Sequence, residues 1–156
     1  MKIMEFLNER AIGCDLKAQT KDGIINELVE LLVRAGEVKE KDVHDIIAIL
    51  KNREALGSTG IGQGVAIPHG KSNAVSHLIG AFGVSRAGVD FGSLDGAPAH
   101  LFFLLMAPED SAGPHLKALA RISRLLKDRH FREGLKQARD EKTVLKILAD
   151  EDQKRH

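Results

Sequence analysis

The sequence predicts an α/β sandwich, a buried sheet covered by helices on both faces, in one domain spanning residues 1–156. Three observations predict it. Two amphipathic helical patterns precede the middle of the chain. "HLFFLLMA", from His100 to Ala107, is apolar almost throughout, as a strand buried on both faces must be. Helical patterns then return and run to the C-terminus. Long helices on either side of buried strands require a sheet covered twice.

The first helix is "TKDGIINELVELLVRAG". Thr20 is a good N-cap and Gly36 a good C-cap, and Ile24, Leu28, Leu31 and Leu32 share one face. "EKDVHDIIAILKNREALG" repeats the pattern with Val43, Ile46, Ile47 and Leu50. Lys51 and Arg53 near its end suit the negative pole of the helix dipole. A glycine-rich loop follows. "VAI" is then a short strand stopped by Pro68, and "HLIGAFGVS" is a second strand before the apolar one. "DSAGPHLKALARISRLLKD" is a helix with Pro114 in its first turn and an expected stripe of Leu116, Leu119, Ile122 and Leu126. "RHFREGLKQA" and "DEKTVLKILAD" predict two shorter helices. The N-terminal "MKIMEFLNERAIG" carries an apolar run too short for a signal peptide.

Composition excludes several function classes. The 23 basic and 22 acidic residues leave a net charge of +1, which asks for no polyanionic partner. Trp and Tyr are absent, so stacking platforms for single-stranded nucleic acid are not expected. Cys14 is the only cysteine, which removes disulfides and multi-cysteine metal sites and leaves Cys14 as a small hydrophobe. His69 and His77 lack a carboxylate or cysteine to complete a metal set, so no metal is expected. No apolar run approaches a membrane span, and the expectation is a cytoplasmic protein with no direct membrane insertion.

The chemistry concentrates in "GSTGIGQGVAIPHGKS", Gly57 to Ser72. It ends as a nucleotide P-loop ends, Gly70-Lys71-Ser72, but the first glycine of that motif would fall on Val65. Pro68 also removes an amide from a loop meant to present amides. Gly60, Gly62 and Gly64 are spaced G-x-G-x-G and follow a helix, so the dinucleotide motif fails too. What remains is flexible backbone that can form an anion-binding concavity, with the hydroxyls of Ser58 and Thr59 and a histidine beside it. A neutral imidazole is a nucleophile near pH 7 and can carry a phosphoryl group. His115, in the first turn of its helix, is held neutral by the dipole and can donate one N–H to a phosphoryl oxygen. Arg53 can add a bidentate fork. Bringing the three together is left to the fold.

"REALGSTGIGQGVAIPHGKS" resembles the active-site signature of enzyme IIA in the fructose/mannitol class of the bacterial phosphotransferase system, most like its nitrogen-regulatory, PtsN-type branch. "VDFGSLDGAPAHLFFLLMAPED" and "HLKALARISRLLKD" extend the resemblance over nearly the whole chain. It implies a mixed sheet flanked by helices. It implies that His69 is phosphorylated, on Nε2, with His115 as the second histidine and Arg53 as the stabilising arginine; Ser58, Thr59, Gly60 and Gly70 are expected, from the make-up of the loop, to support the phosphate. The implied donor is an HPr-like phosphohistidine carrier charged by an enzyme I. The implied recipients are regulatory targets or a IIB domain, with no cofactor, metal or nucleotide in the transfer. Such a protein is a phosphotransferase only as a stoichiometric carrier. A non-covalent anion-binding module is the reading from another class. Lys117 stands where many regulatory relatives carry another histidine. A chain of 156 residues leaves no room for fused IIB or membrane domains, and a stand-alone protein is expected.

Overall fold

The computed structural model describes residues 1–154. Its elements run β1 (Leu7–Gly13), α1 (Lys21–Arg34), α2 (Val43–Ala55), β2 (Gly60–Gly62), β3 (Val65–Ala66) and β4 (His69–Lys71). They continue with β5 (Ile79–Val89), β6 (Ala99–Ala107), α3 (Ala112–Leu125), α4 (Arg129–Gln137) and α5 (Glu141–Lys154). The strands form one mixed sheet in the order β1-β5-β6-β3-β2, with β4 also paired to β6. β5 and β6 are antiparallel, while β1 on β5 and both β3 and β4 on β6 are parallel.

β6 organises the core. Phe102, Leu104 and Met106 join one buried cluster with residues of α1 and α2. Leu101, Phe103 and Leu105 alternate into a second, built with α3, α4 and α5. The sheet is therefore covered on both faces, as the apolar run implied.

The helix ends obey their residues. The Thr20 hydroxyl accepts from the Gly23 amide at 3.1 Å. At the other end of α1, Gly36 takes φ +79°. There the Gly36 and Glu37 amides donate to Val33 and Leu32 carbonyls at 3.0 and 2.9 Å. Asp128 caps α4 through the Phe131 amide.

Three features differ from the sequence reading. β1 was not expected. Its middle, Asn8, Glu9 and Arg10, is polar because it falls in the register shift between Leu7 and Ile12, on a strand at the sheet edge. The glycine-rich segment is a hairpin rather than a flexible loop. β2 turns into β3 through Gln63 and Gly64, both at positive φ (58° and 80°), as a tight two-residue hairpin turn requires. The buried face of α3 is His115, Ala118, Arg121, Ile122 and Leu125. Leu116, expected inside, is 66% exposed. Ile122 and Leu126 are buried as expected and Leu119 packs against the core, while His115, Ala118 and Arg121 take the remaining core positions.

Arg121 explains its own place. Its Nη2 donates to Asp152 Oδ1 at 2.8 Å and to the Asp152 carbonyl at 2.7 Å, and both side chains are almost fully buried. The same carboxylate accepts the Ile3 and Met4 amides, each at 3.0 Å. One ion pair thus ties α3 to α5 and to the N-terminal turn. Asp152→Ala leaves a buried guanidinium without its partner and should destabilise the chain by about 3–5 kcal/mol. Urea unfolding at pH 7 measures this; an unchanged midpoint would show that the pair does not clamp α3.

Candidate functional site

His69 opens β4. β3 and β4 lie along the same edge of β6 as one interrupted strand, and Pro68 is the interruption. The Pro68 carbonyl still accepts the Leu105 amide at 3.0 Å, so pairing resumes at once and His69 aligns with Leu105. The histidine therefore stands on a short strand, not in a free loop. Its Nδ1 lies 2.7 Å from the Ile67 carbonyl. A carbonyl only accepts, so Nδ1 carries the proton and Nε2 keeps its lone pair.

His115 reaches the same place from α3, with ring centroids 5.4 Å apart and the rings edge to face. It is the fourth residue of the helix, and its amide makes the first intrahelical bond, to Ser111 at 3.0 Å. The ring is buried, and its Nδ1 has no hydrogen-bond partner among the described residues. Nε2 is the nitrogen left to face the cleft.

Arg53 arrives from α2, on the opposite helical layer. Its Nη1 donates to the Gly57 carbonyl at 2.8 Å, which holds the guanidinium beside the turn after the helix. Arg53, His69, Gly70, Lys71 and His115 line one open cleft of about 570 Å³, with Ile49, Leu56, Leu116 and Leu119 as apolar walls. Gly70 is required by packing: a Cβ there would lie 2.7 Å from Ile49 Cγ2. Its bare backbone lets α2 rest on β4, and Arg53 follows Ile49 by one turn on the same helix face.

Ser58, Thr59 and Gly60 do not line this cleft. The Ser58 hydroxyl donates to the Phe91 carbonyl. Thr59 gives its amide and hydroxyl to the buried Glu54 carboxylate, which also holds Lys21 Nζ at 3.1 Å. Gly60 is a glycine because Ser93 leaves no space for a Cβ. These residues fix the turn that Arg53 grips; they do not face the cleft themselves. Sequence reasoning missed Lys71 as a cleft residue. The signal was available, since residues two apart on a strand share a face.

Burial holds both imidazoles neutral. Desolvation lowers His69 from its ordinary 6.5; the Ile67 hydrogen bond opposes this, the nearby Arg53 charge adds to it, and Glu54 opposes it least. His115 falls to about 4, chiefly by burial, then by repulsion from the His69 ring whenever that is protonated and from Lys71. The cleft thus holds two uncharged imidazoles, with the lone pair of His69 Nε2 free, beside Arg53 and Lys71.

A family model described as "Phosphoenolpyruvate-dependent sugar phosphotransferase system, EIIA 2" matches residues 5–151. The chain belongs to that family. As an EIIA domain it is 40% identical over 149 residues to a nitrogen regulatory protein of Bradyrhizobium diazoefficiens, covering 96% of this chain and 95% of that one. It is 41% identical over 152 residues to the fructose-specific EIIABC component of Bacillus subtilis. That match covers 97% of this chain but only 24% of the longer protein. The crystal structure of IIA-Ntr from Neisseria meningitidis superposes with a TM-score of 0.84 at 36% identity, covering 94% of this chain and 98% of that one. An Escherichia coli complex of enzyme IIA mannitol with phosphorylated enzyme IIB mannitol contains a similar chain, with a TM-score of 0.75 at 26% identity, covering 90% of this chain and 95% of that one. Among the described residues, no helix of this EIIA domain is long and apolar enough to cross a membrane.

The depressed His115 value has a thermodynamic consequence. Unfolded His115 protonates near 6.5, while the folded ring refuses the proton until about 4. Stability should therefore fall as pH drops through that window and stop falling, for this group, below it. His115→Gln should lose about 2 kcal/mol less than the parent between pH 7.5 and pH 5. Urea midpoints at the two pH values give the comparison; parallel losses would mean that His115 titrates normally.

Proposed function

We propose that this EIIA domain is a phosphoryl carrier that accepts a phosphoryl group on His69 Nε2 from an HPr-like phosphohistidine protein. The single observation behind this reading is the Nδ1 contact with Ile67, which leaves Nε2 unprotonated in the open cleft. In the step, the donor's P–N bond breaks and a bond from His69 Nε2 to phosphorus forms in line. The electron pair of the broken bond returns to the donor imidazole. No proton must move on His69, because Nδ1–H stays on its carbonyl. Arg53 and Lys71 offset the charge of the transferring group, and His115 Nε2–H donates to one of its oxygens. The reaction needs positioning and charge stabilisation, and the named groups provide both without a metal or nucleotide.

The near end-to-end match to nitrogen regulatory proteins supports a regulatory role, in which the phosphorylation state of His69 decides which partners bind. Phosphorylation adds a charge of about −2 to a cleft rimmed by exposed leucines, which changes any docking surface directly. The fructose EIIABC relative supports the other destination, a IIB domain in sugar uptake. Pull-downs with the parent, His69→Ala and His69→Asp proteins separate the two. Form-dependent partners outside sugar permeases support regulation, and a IIB domain as the only such partner supports transport.

Incubation with enzyme I, an HPr-like carrier and phosphoenolpyruvate should add one acid-labile phosphoryl group at His69, and His69→Ala should abolish it. His115→Ala and Arg53→Lys should retain the acceptor but slow transfer, by roughly 10²-fold for a full loss of one stabilising donor and less in an open cleft. Label on the His69→Ala protein would refute the acceptor. Parent rates in both other variants would remove His115 and Arg53 from the chemistry.

A further inference from the structure

A second polar cleft lies at the far end of the sheet from His69. It has a volume of about 680 Å³ and is lined by Arg86, Lys136, Gln137 and Arg139. His69 aligns with Leu105 of β6, which also pairs with Gly80 of β5. Arg86 lies six residues further along β5, roughly 20 Å away at the rise of a strand. The two clefts share no lining residue.

The far cleft is cationic in a specific way. Arg86, Lys136 and Arg139 form no ion pair among the described residues. Carboxylates are close by and keep their charge, but none forms an ion pair with Arg86, Lys136 or Arg139 among the described residues. Asp15 holds Lys17 at 2.6 Å, Glu141 accepts the Cys14 thiol at 3.4 Å, and Asp140 accepts the Thr143 amide at 2.7 Å. The charge of Arg86 is felt by Cys14 and Asp15. Its guanidinium is also positioned: Nη2 donates to the Ala138 carbonyl at 2.9 Å, which pins it to the segment joining α4 and α5. Four of its five N–H donors are left over. Lys136 stands in the last turn of α4, and Arg139 follows the extended Ala138. Two arginines, a lysine and a glutamine thus line one cleft, a donor set that phosphoryl oxygens match.

We propose that this cleft binds a small metabolite bearing two phosphoryl groups. Three cations without an ion-pair partner among the described residues line the cleft, and two phosphoryl groups offer them more acceptor oxygens than one. No aromatic ring lines the cleft, so nothing is present to stack a nucleobase. The site is separate from the acceptor histidine, and the proposal does not rest on His69 chemistry.

The probe is inorganic pyrophosphate, titrated by calorimetry against the full chain, with inorganic phosphate, ATP and anionic phosphatidylglycerol vesicles alongside. Pyrophosphate should bind one to one and more tightly than phosphate, and ATP should gain nothing from its base. Arg139→Ala and Lys136→Ala, both on the surface, should each weaken pyrophosphate binding about tenfold. His69→Ala should leave it unchanged. Amide shifts on binding should fall at residues 86 and 136–139 and spare residues 69–71 and 115. Equal affinity in the parent and both cleft variants would overturn the proposal, as would shifts confined to the His69 cleft. Binding to vesicles without binding to pyrophosphate would overturn it in favour of a membrane surface.

Discussion

Strand β6 pairs with β5 on one side and with β3 and β4 on the other, while its side chains alternate into two separate cores. This double burial is the constraint on which the other elements depend. One core must be closed by α1 and α2, the other by α3, α4 and α5. At β4, residues from both helical layers line one cleft. Arg53 descends from one layer, His115 from the other, and His69 stands on the strand between them. The cleft is a junction of layers, and none of the three residues could reach it from a single supersecondary unit.

Two devices hold that junction in register. On the α2 side, Gly70 admits Ile49 against the strand, and Glu54 collects Thr59 and Lys21 so that the turn gripped by Arg53 cannot drift. On the α3 side, the Arg121–Asp152 pair anchors the helix from below. A buried ion pair adds little net stability compared with apolar packing, but it tolerates few alternative arrangements. For a helix that must present one imidazole at a fixed distance from another, the restriction counts for more than the energy.

Much of this was legible in the sequence. The apolar run from His100 announced a doubly covered strand, and Thr20 and Gly36 marked both ends of α1. His69, His115 and Arg53 were all named from residue chemistry and family resemblance, and they share one cleft. What was not legible has physical causes. β1 hid because an edge strand need not alternate. The face of α3 was only partly legible because His115 and Arg121, polar by type, are core residues by position, while Leu116 is exposed. Ser58, Thr59 and Gly60 looked like a phosphate cradle because hairpin glycines and anion-loop glycines have the same composition. Their partners, Phe91, Glu54 and Ser93, are distant in sequence or chemically unremarkable, so no local pattern reveals them.

The contact between His69 Nδ1 and the Ile67 carbonyl also governs rotation and energy content. With that bond in place the imidazole cannot turn over, so a group carried on Nε2 would point in one direction only. The acceptor is a neutral carbonyl rather than a carboxylate. A carboxylate would pull the remaining proton and stabilise positive charge on a substituted ring, deepening the well in which the group sits. A carbonyl does this weakly. A phosphoryl group on this nitrogen would therefore stay near the potential it had on another protein imidazole, and it would pass forward or back with little bias. A protein so charged would report the charging level of its donor pool instead of storing it.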